Sequence, residues 1–156
     1  MSEIADFLRA RIAERRTLAE AAAEDSGMNW SPGDDLSSSV HETDSGSPVV
    51  IGPWEHLDLD VRRHIAASDP AAVIADCDAK LAVVDDLLAE THVVVEDPWY
   101  TCSAATQEHD GGRCCDDNRR GTPCDCGRDA RVNRRLAILA QPFAGHPGHK
   151  GEEWAP

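Results

Sequence analysis

Cys102, Cys114, Cys115, Cys124 and Cys126 fall within 25 residues, in a stretch of Gly, Asp and Arg with almost no large apolar side chain. Thiolate and imidazole are the donors a tetrahedral zinc ion prefers, and a structural site fills all four positions with protein groups. The step Cys124-x-Cys126 can set two sulfurs at one ion, and a turn at Gly111-Gly112 can do the same. The preferred ligand set is Cys102, Cys114, Cys124 and Cys126. Cys115 is the alternate for Cys114, and His109 the alternate for any one cysteine. The segment contains no C-x-x-C pair and matches none of the common finger spacings. Two other chemistries compete: free thiols in an unordered loop, and a redox disulfide pair. Arg113, Arg119, Arg120, Arg128 and Arg131 would offset the charge of a four-thiolate site. They would equally lower a thiol pKa, which serves a redox reading as well.

The remaining candidates are weaker. Cys77 sits on an apolar helical stripe and reads as a small core residue. His92 follows the same helix, where the dipole favours an imidazolium; its nearness to the cysteine segment makes it a lesser metal candidate. His64 reads as solvated or capping. His146 and His149 form His-Pro-Gly-His, which could bind a metal weakly but is expected in a flexible surface tail. Adjacent carboxylates such as Asp85-Asp86 and Glu152-Glu153 follow from the 29 acidic residues rather than from a catalytic arrangement. No P-loop, G-x-G-x-x-G, G-x-S-x-G or H-E-x-x-H motif is present.

The elements that must position the cysteines are mostly helical. Residues 1–24 predict a helix capped by Ser2, with Ile4, Phe7, Leu8 and Ile12 on one face. It should end near Ala23. Residues 29–56 turn to Ser, Gly, Pro and Asp and predict a hairpin or loop, with Val49-Val50-Ile51 as the best strand. Residues 57–91 predict the helical core. A short helix starts at Asp58, and a longer one starts at Asp69-Pro70, where Asp caps and Pro suits the first turn. The stripe Ile74, Cys77, Leu81, Val84 and Leu88 marks its buried face. Val93-Val94-Val95 predicts a short strand. Residues 100–127 form the Cys-rich metal loop, which cannot order itself by apolar burial. Residues 128–141 predict a last helix with Val132, Leu136 and Leu139 inward, stopped by Pro142. Residues 142–156 predict a coil tail.

Hydrophobic residues make up 41% of the chain but aromatics only 4%, so the core is small and an external source of stability is expected. The net charge of -14 repels phosphate backbones and anionic lipids, which argues against nucleic acid and membrane as general partners. Residues 24–60 hold nine acidic residues and no Lys or Arg, whereas residues 113–135 hold seven Arg against four Asp. No secretory leader or membrane span is visible. A cytoplasmic protein is expected, in which cysteines are thiols or metal ligands.

Four stretches resemble a known family. They are Ile4-Ala5-Asp6-Phe7-Leu8-Arg9-Ala10-Arg11, His64 to Ile74 with Ala79-Lys80, Pro123 to Arg131, and Leu136 to Ala144 followed by His146-Pro147-Gly148 and Glu152-Glu153-Trp154. In this order they resemble the uncharacterised actinobacterial and actinophage proteins grouped as domain of unknown function 6221. The resemblance implies a one-domain helical protein with a small strand element and cysteines before the last helix. It matches Cys124 and Cys126 to the family's cysteine-bearing stretch, favours Cys114 over Cys115 upstream, and implies no activity. The combined expectation is a single small α+β domain, mostly α, with a zinc-stabilised loop. Its function would be non-enzymatic binding of a protein partner. The rival is a cysteine-based redox protein or zinc-dependent enzyme.

Overall fold

The computed structural model describes residues 2–34, 38–51, 57–95, 101–105 and 122–156. The order of elements is helix α1 (Glu3–Ser26), strands β1 (Trp30–Ser31), β2 (Ser39–Glu42) and β3 (Pro48–Ile51), then helices α2 (Leu59–Ala66), α3 (Pro70–Ala89) and α4 (Arg128–Ala140). Two short 3-10 turns follow, Gln141–Phe143 and Gly151–Trp154. The protein is thus mostly helical with a small sheet. Among the described residues no helix is long and apolar enough to cross a membrane. The chain forms two compact units, Arg9–Ala82 and Met1–Leu8 with Val83–Pro156.

In the unit Arg9–Ala82, α1 runs one turn beyond the expected end at Ala23. Ala, Glu and Asp carry the helix on to Ser26, and Gly27 stops it with a left-handed φ of 74°. The Gly27 N–H closes the end on the Ala23 carbonyl at 3.0 Å. A Cβ at Gly27 would run into Glu42 Cγ, and Glu42 cannot swing away freely. Its carboxylate accepts N–H bonds from Asp44 (3.1 Å) and Ser45 (2.5 Å). The Ser45 hydroxyl and N–H, then the Asp44 N–H, hold that carboxyl below the usual carboxylate range.

The expected hairpin is part of a three-stranded antiparallel sheet in the order β1-β2-β3. Trp30 pairs with Glu42 and Val40 with Val50, with an irregularity between Val40 and His41. Val40 is fully buried. The two-residue strand β1 carries too few residues to show alternation in the sequence. Its position is fixed by the Trp30 indole, which donates to the Ser26 (3.0 Å) and Gly27 (3.2 Å) carbonyls.

Asp58 caps α2 by accepting from the Asp60 N–H at 2.8 Å. Arg62, on α2, is buried and donates to the carbonyls of Leu57, Pro32 and Asp34. Asp69 caps α3 as expected, accepting from the Ala72 N–H (2.8 Å) with one oxygen and the Trp30 N–H (3.3 Å) with the other. Arg15 and Arg16 of α1 pair with Asp76 and Asp78 of α3.

In the other unit the core is formed by Ile4, Ala5 and Leu8 of α1, Val84 and Leu87 of α3, and Val132, Leu136, Ala137 and Ala140 of α4. The helical stripe on α3 is rotated slightly from expectation. Leu87 is buried, while Leu88 is only half-buried.

Two expectations fail here. Val93-Val94-Val95 is not a strand, and all three side chains are exposed. The Thr101 hydroxyl takes the ladder's place, donating to the Val95 carbonyl (2.7 Å) and accepting from the Val95 N–H (2.9 Å). The tail is not a free coil. Trp154 is buried, and Phe7 meets the rings of Phe143, His146, His149 and Trp154 at centroid distances of 5.1 to 6.2 Å. Aromatic contacts of this kind hold a short segment whose regular structure is limited to two 3-10 turns.

Candidate metal centre

Three short segments meet where α3 ends and α4 begins. The first follows α3 and carries His92. The second, residues 101–105, carries Cys102, and the third, residues 122–127, carries Cys124 and Cys126.

Main-chain and side-chain bonds tie the segments together. Cys102 N–H donates to the Val93 carbonyl at 2.8 Å. Ser103, fully buried, donates through its hydroxyl to the Pro123 carbonyl (2.8 Å) and through its N–H to the Asp125 carboxylate (3.1 Å). Arg128, at the start of α4, donates from Nε to the Glu90 carbonyl (2.7 Å) and from Nη2 to the Leu88 carbonyl (2.8 Å). It thereby satisfies carbonyls that the end of α3 leaves without helical partners. Gly127, with φ 75°, makes the sharp entry into α4.

These ties bring four donor atoms together. The ligand atoms of His92, Cys102, Cys124 and Cys126 all lie within 4.8 Å of one another. The sulfurs of Cys102 and Cys124 are 3.8 Å apart, and those of Cys124 and Cys126 3.5 Å apart. His92 turns Nδ1 toward the sulfurs, 3.5 Å from Cys102 and 3.8 Å from Cys126. Its other nitrogen, Nε2, lies 3.8 Å from the Asp129 carboxylate. Cys102 is buried and the other three donors are half-buried. One imidazole and three thiols so placed are close enough to hold a metal ion.

The electrostatics suit an anionic cluster. Burial raises the Cys124 thiol pKa, but the Asp129 main-chain N–H and the hydrogen bonds from Cys102 and His92 outweigh it. The net effect holds the thiol below the ordinary cysteine value. The Asp129 N–H belongs to the first turn of α4, the end of the helix that carries partial positive charge. Arg131 donates to the Cys126 carbonyl at 3.2 Å. Cys77 lies apart from the cluster, buried in the face of α3, where burial pushes its thiol up.

Of the residues expected from the sequence, Cys102, Cys124 and Cys126 are brought together. Cys114, its alternate Cys115, and His109 lie outside the described residues. The donor that the sequence ranked low is His92. Its signal was its position, directly after a helix end and ten residues before Cys102. His146 and His149 belong to the ring cluster around Phe7.

The model of a family described as "Family of unknown function (DUF6221)" matches residues 1–156. The chain belongs to that family. Neither the curated proteins nor the solved structures hold a significant match to it. Membership covers the whole length, so the four donor residues and the segments that carry them all lie within the matched region. For this member of the family, the donor cluster is the feature from which chemistry can be argued.

Proposed function

We propose that this protein is a small non-enzymatic binding or accessory protein whose fold around α4 is held by a structural zinc ion on His92, Cys102, Cys124 and Cys126. The spacing of the donors carries the proposal. A tetrahedral zinc ion, with bonds of about 2.3 Å to sulfur and about 2.05 Å to nitrogen, sets a sulfur pair about 3.8 Å apart and a sulfur–nitrogen pair about 3.6 Å apart. Two of the sulfur–sulfur separations are 3.5 and 3.8 Å, two of the sulfur–nitrogen separations are 3.5 and 3.8 Å, and all the donor atoms lie within 4.8 Å of one another. Three soft thiolates and one imidazole are also the donor set that selects zinc over hard, oxygen-seeking cations. Four protein donors fill a tetrahedron and leave no position for a substrate or an activated water, which supports a structural role over a hydrolytic one. When bound, the ion supplies cross-linking of three chain segments that have little apolar surface of their own.

The biological activity then lies in a surface, and the ligand is a protein partner. The acidic span of residues 24–60 and the arginines on α4 are the two candidate faces. A net charge of -14 argues against general attraction to nucleic acid. Thiols kept for a metal fit a reducing, cytoplasmic setting.

Cobalt(II) substitution tests the coordination. The loaded protein is expected to show the intense visible bands of a tetrahedral ion together with thiolate-to-metal charge transfer. The charge-transfer intensity should fall stepwise in Cys102→Ser, Cys124→Ser and Cys126→Ser. The weak bands of a six-coordinate ion, or intensity unaffected by these substitutions, would contradict the assignment.

A further inference from the structure

We infer that Asp129 is the positioning residue of the metal site, fixing which nitrogen of His92 faces the ion; the inference rests on the metal reading above. His92 presents Nδ1 to the sulfurs of Cys102 and Cys126. A ligating nitrogen carries no proton, so the proton of the neutral ring must sit on Nε2. Nε2 faces Asp129 Oδ1 at 3.8 Å, an ion-pair distance longer than a hydrogen bond, so the carboxylate acts on the ring through its charge or a small closing movement. A carboxylate behind a metal-bound histidine holds the tautomer, orients the ring and raises its basicity.

Asp129 is itself held from two sides. Arg128 Nη1 donates to the same carboxylate oxygen at 2.9 Å, and Arg128 is anchored on the carbonyls of Leu88 and Glu90. The Asp129 main-chain N–H donates to the Cys124 sulfur. One residue thus supports two of the four donors, one through its backbone and one through its side chain. The simpler alternative is that Asp129 only sits well in the first turn of α4, where any acidic residue is favoured by the dipole. The two roles separate experimentally, because only the first acts through the imidazole.

Zinc affinity, measured by competition with a chromophoric chelator, is the readout. Asp129→Ala is expected to weaken binding about 10- to 100-fold. Asp129→Asn, whose amide oxygen keeps an acceptor facing Nε2, should retain most of the affinity. In a His92→Cys background, where no imidazole remains to be oriented, Asp129→Ala should have little effect. Long-range nitrogen–proton NMR of the zinc-loaded protein should place the His92 proton on Nε2, with its exchange faster in Asp129→Ala. An undiminished affinity in Asp129→Ala, or an equal loss in the His92→Cys background, would overturn the role of Asp129 while leaving the zinc site standing; a His92 proton on Nδ1 would overturn that role and also remove Nδ1 from the donor set. A wild-type protein that binds no zinc would overturn the site itself.

Discussion

Stripping the proposed zinc ion with excess chelator at neutral pH will unfold the region around α4 rather than merely loosen it. Structural zinc contributes on the order of 10 kcal/mol of binding free energy in small motifs, and a typical domain has only about 5–15 kcal/mol of total stability. The segments concerned have little else to hold them. Cys102, Ser103 and Ala105 are buried, but Val93, Val94 and Val95 lie exposed, so apolar burial cannot replace the four bonds of the proposed ion. The effect will be local in its onset. Amide exchange should accelerate first at Cys102, Ser103 and Asp129. Their N–H groups bond Val93, Asp125 and Cys124, all in the ligand-bearing segments or directly beside them. Adding zinc back should restore protection. Exchange rates unmoved by chelation would mean that hydrogen bonds alone order this region.

The second large effect concerns the unit Arg9–Ala82 and involves no metal. Arg62→Ala will destabilise it by about 3 kcal/mol or more, read as a lowered urea midpoint. Arg62 is 3% exposed, and its guanidinium bonds three carbonyls, Pro32 (2.5 Å), Asp34 (2.8 Å) and Leu57 (3.2 Å). Truncation leaves these acceptors without that donor and opens a void beneath α2. Hydrogen bonds from a charged donor contribute about 1.5–3 kcal/mol each, and water can replace the donor more readily at exposed Asp34 than at half-buried Pro32 and Leu57. Arg62→Lys should recover only part of the loss, because one ammonium cannot reproduce the planar fork that spans three carbonyls. A midpoint shift within error of zero for Arg62→Ala would show that the guanidinium is replaceable by water.

The residues behind these effects differ in how far the sequence disclosed them. The helices were legible because their signals are local: Asp58 and Asp69 cap where caps were expected, and Val132 and Leu136 face inward at helical spacing. The cysteine pair Cys124-x-Cys126 was legible because its chemistry is unusual and its spacing short. Arg62 was not, since Arg63 beside it is solvated and nothing local separates the two. Its acceptors Pro32 and Asp34 lie 30 and 28 residues earlier, in backbone without regular structure. His92 was ranked low for a similar reason. A histidine after a helix end is usually explained by the dipole, and only the return of the chain through Cys102 and Cys124 gives it a second role. The tail failed as a coil expectation because its order comes from Phe7, far away in sequence.

The zinc content of protein purified without added metal bears most directly on the whole account. Mass-spectrometric metal analysis should find about one zinc ion per chain, as a closed site with four protein donors requires. The ratio should fall close to zero in Cys124→Ser, whose sulfur touches both Cys102 and Cys126. A wild-type ratio near zero, or a ratio that Cys124→Ser leaves unchanged, would contradict the assignment of His92, Cys102, Cys124 and Cys126 as the metal centre.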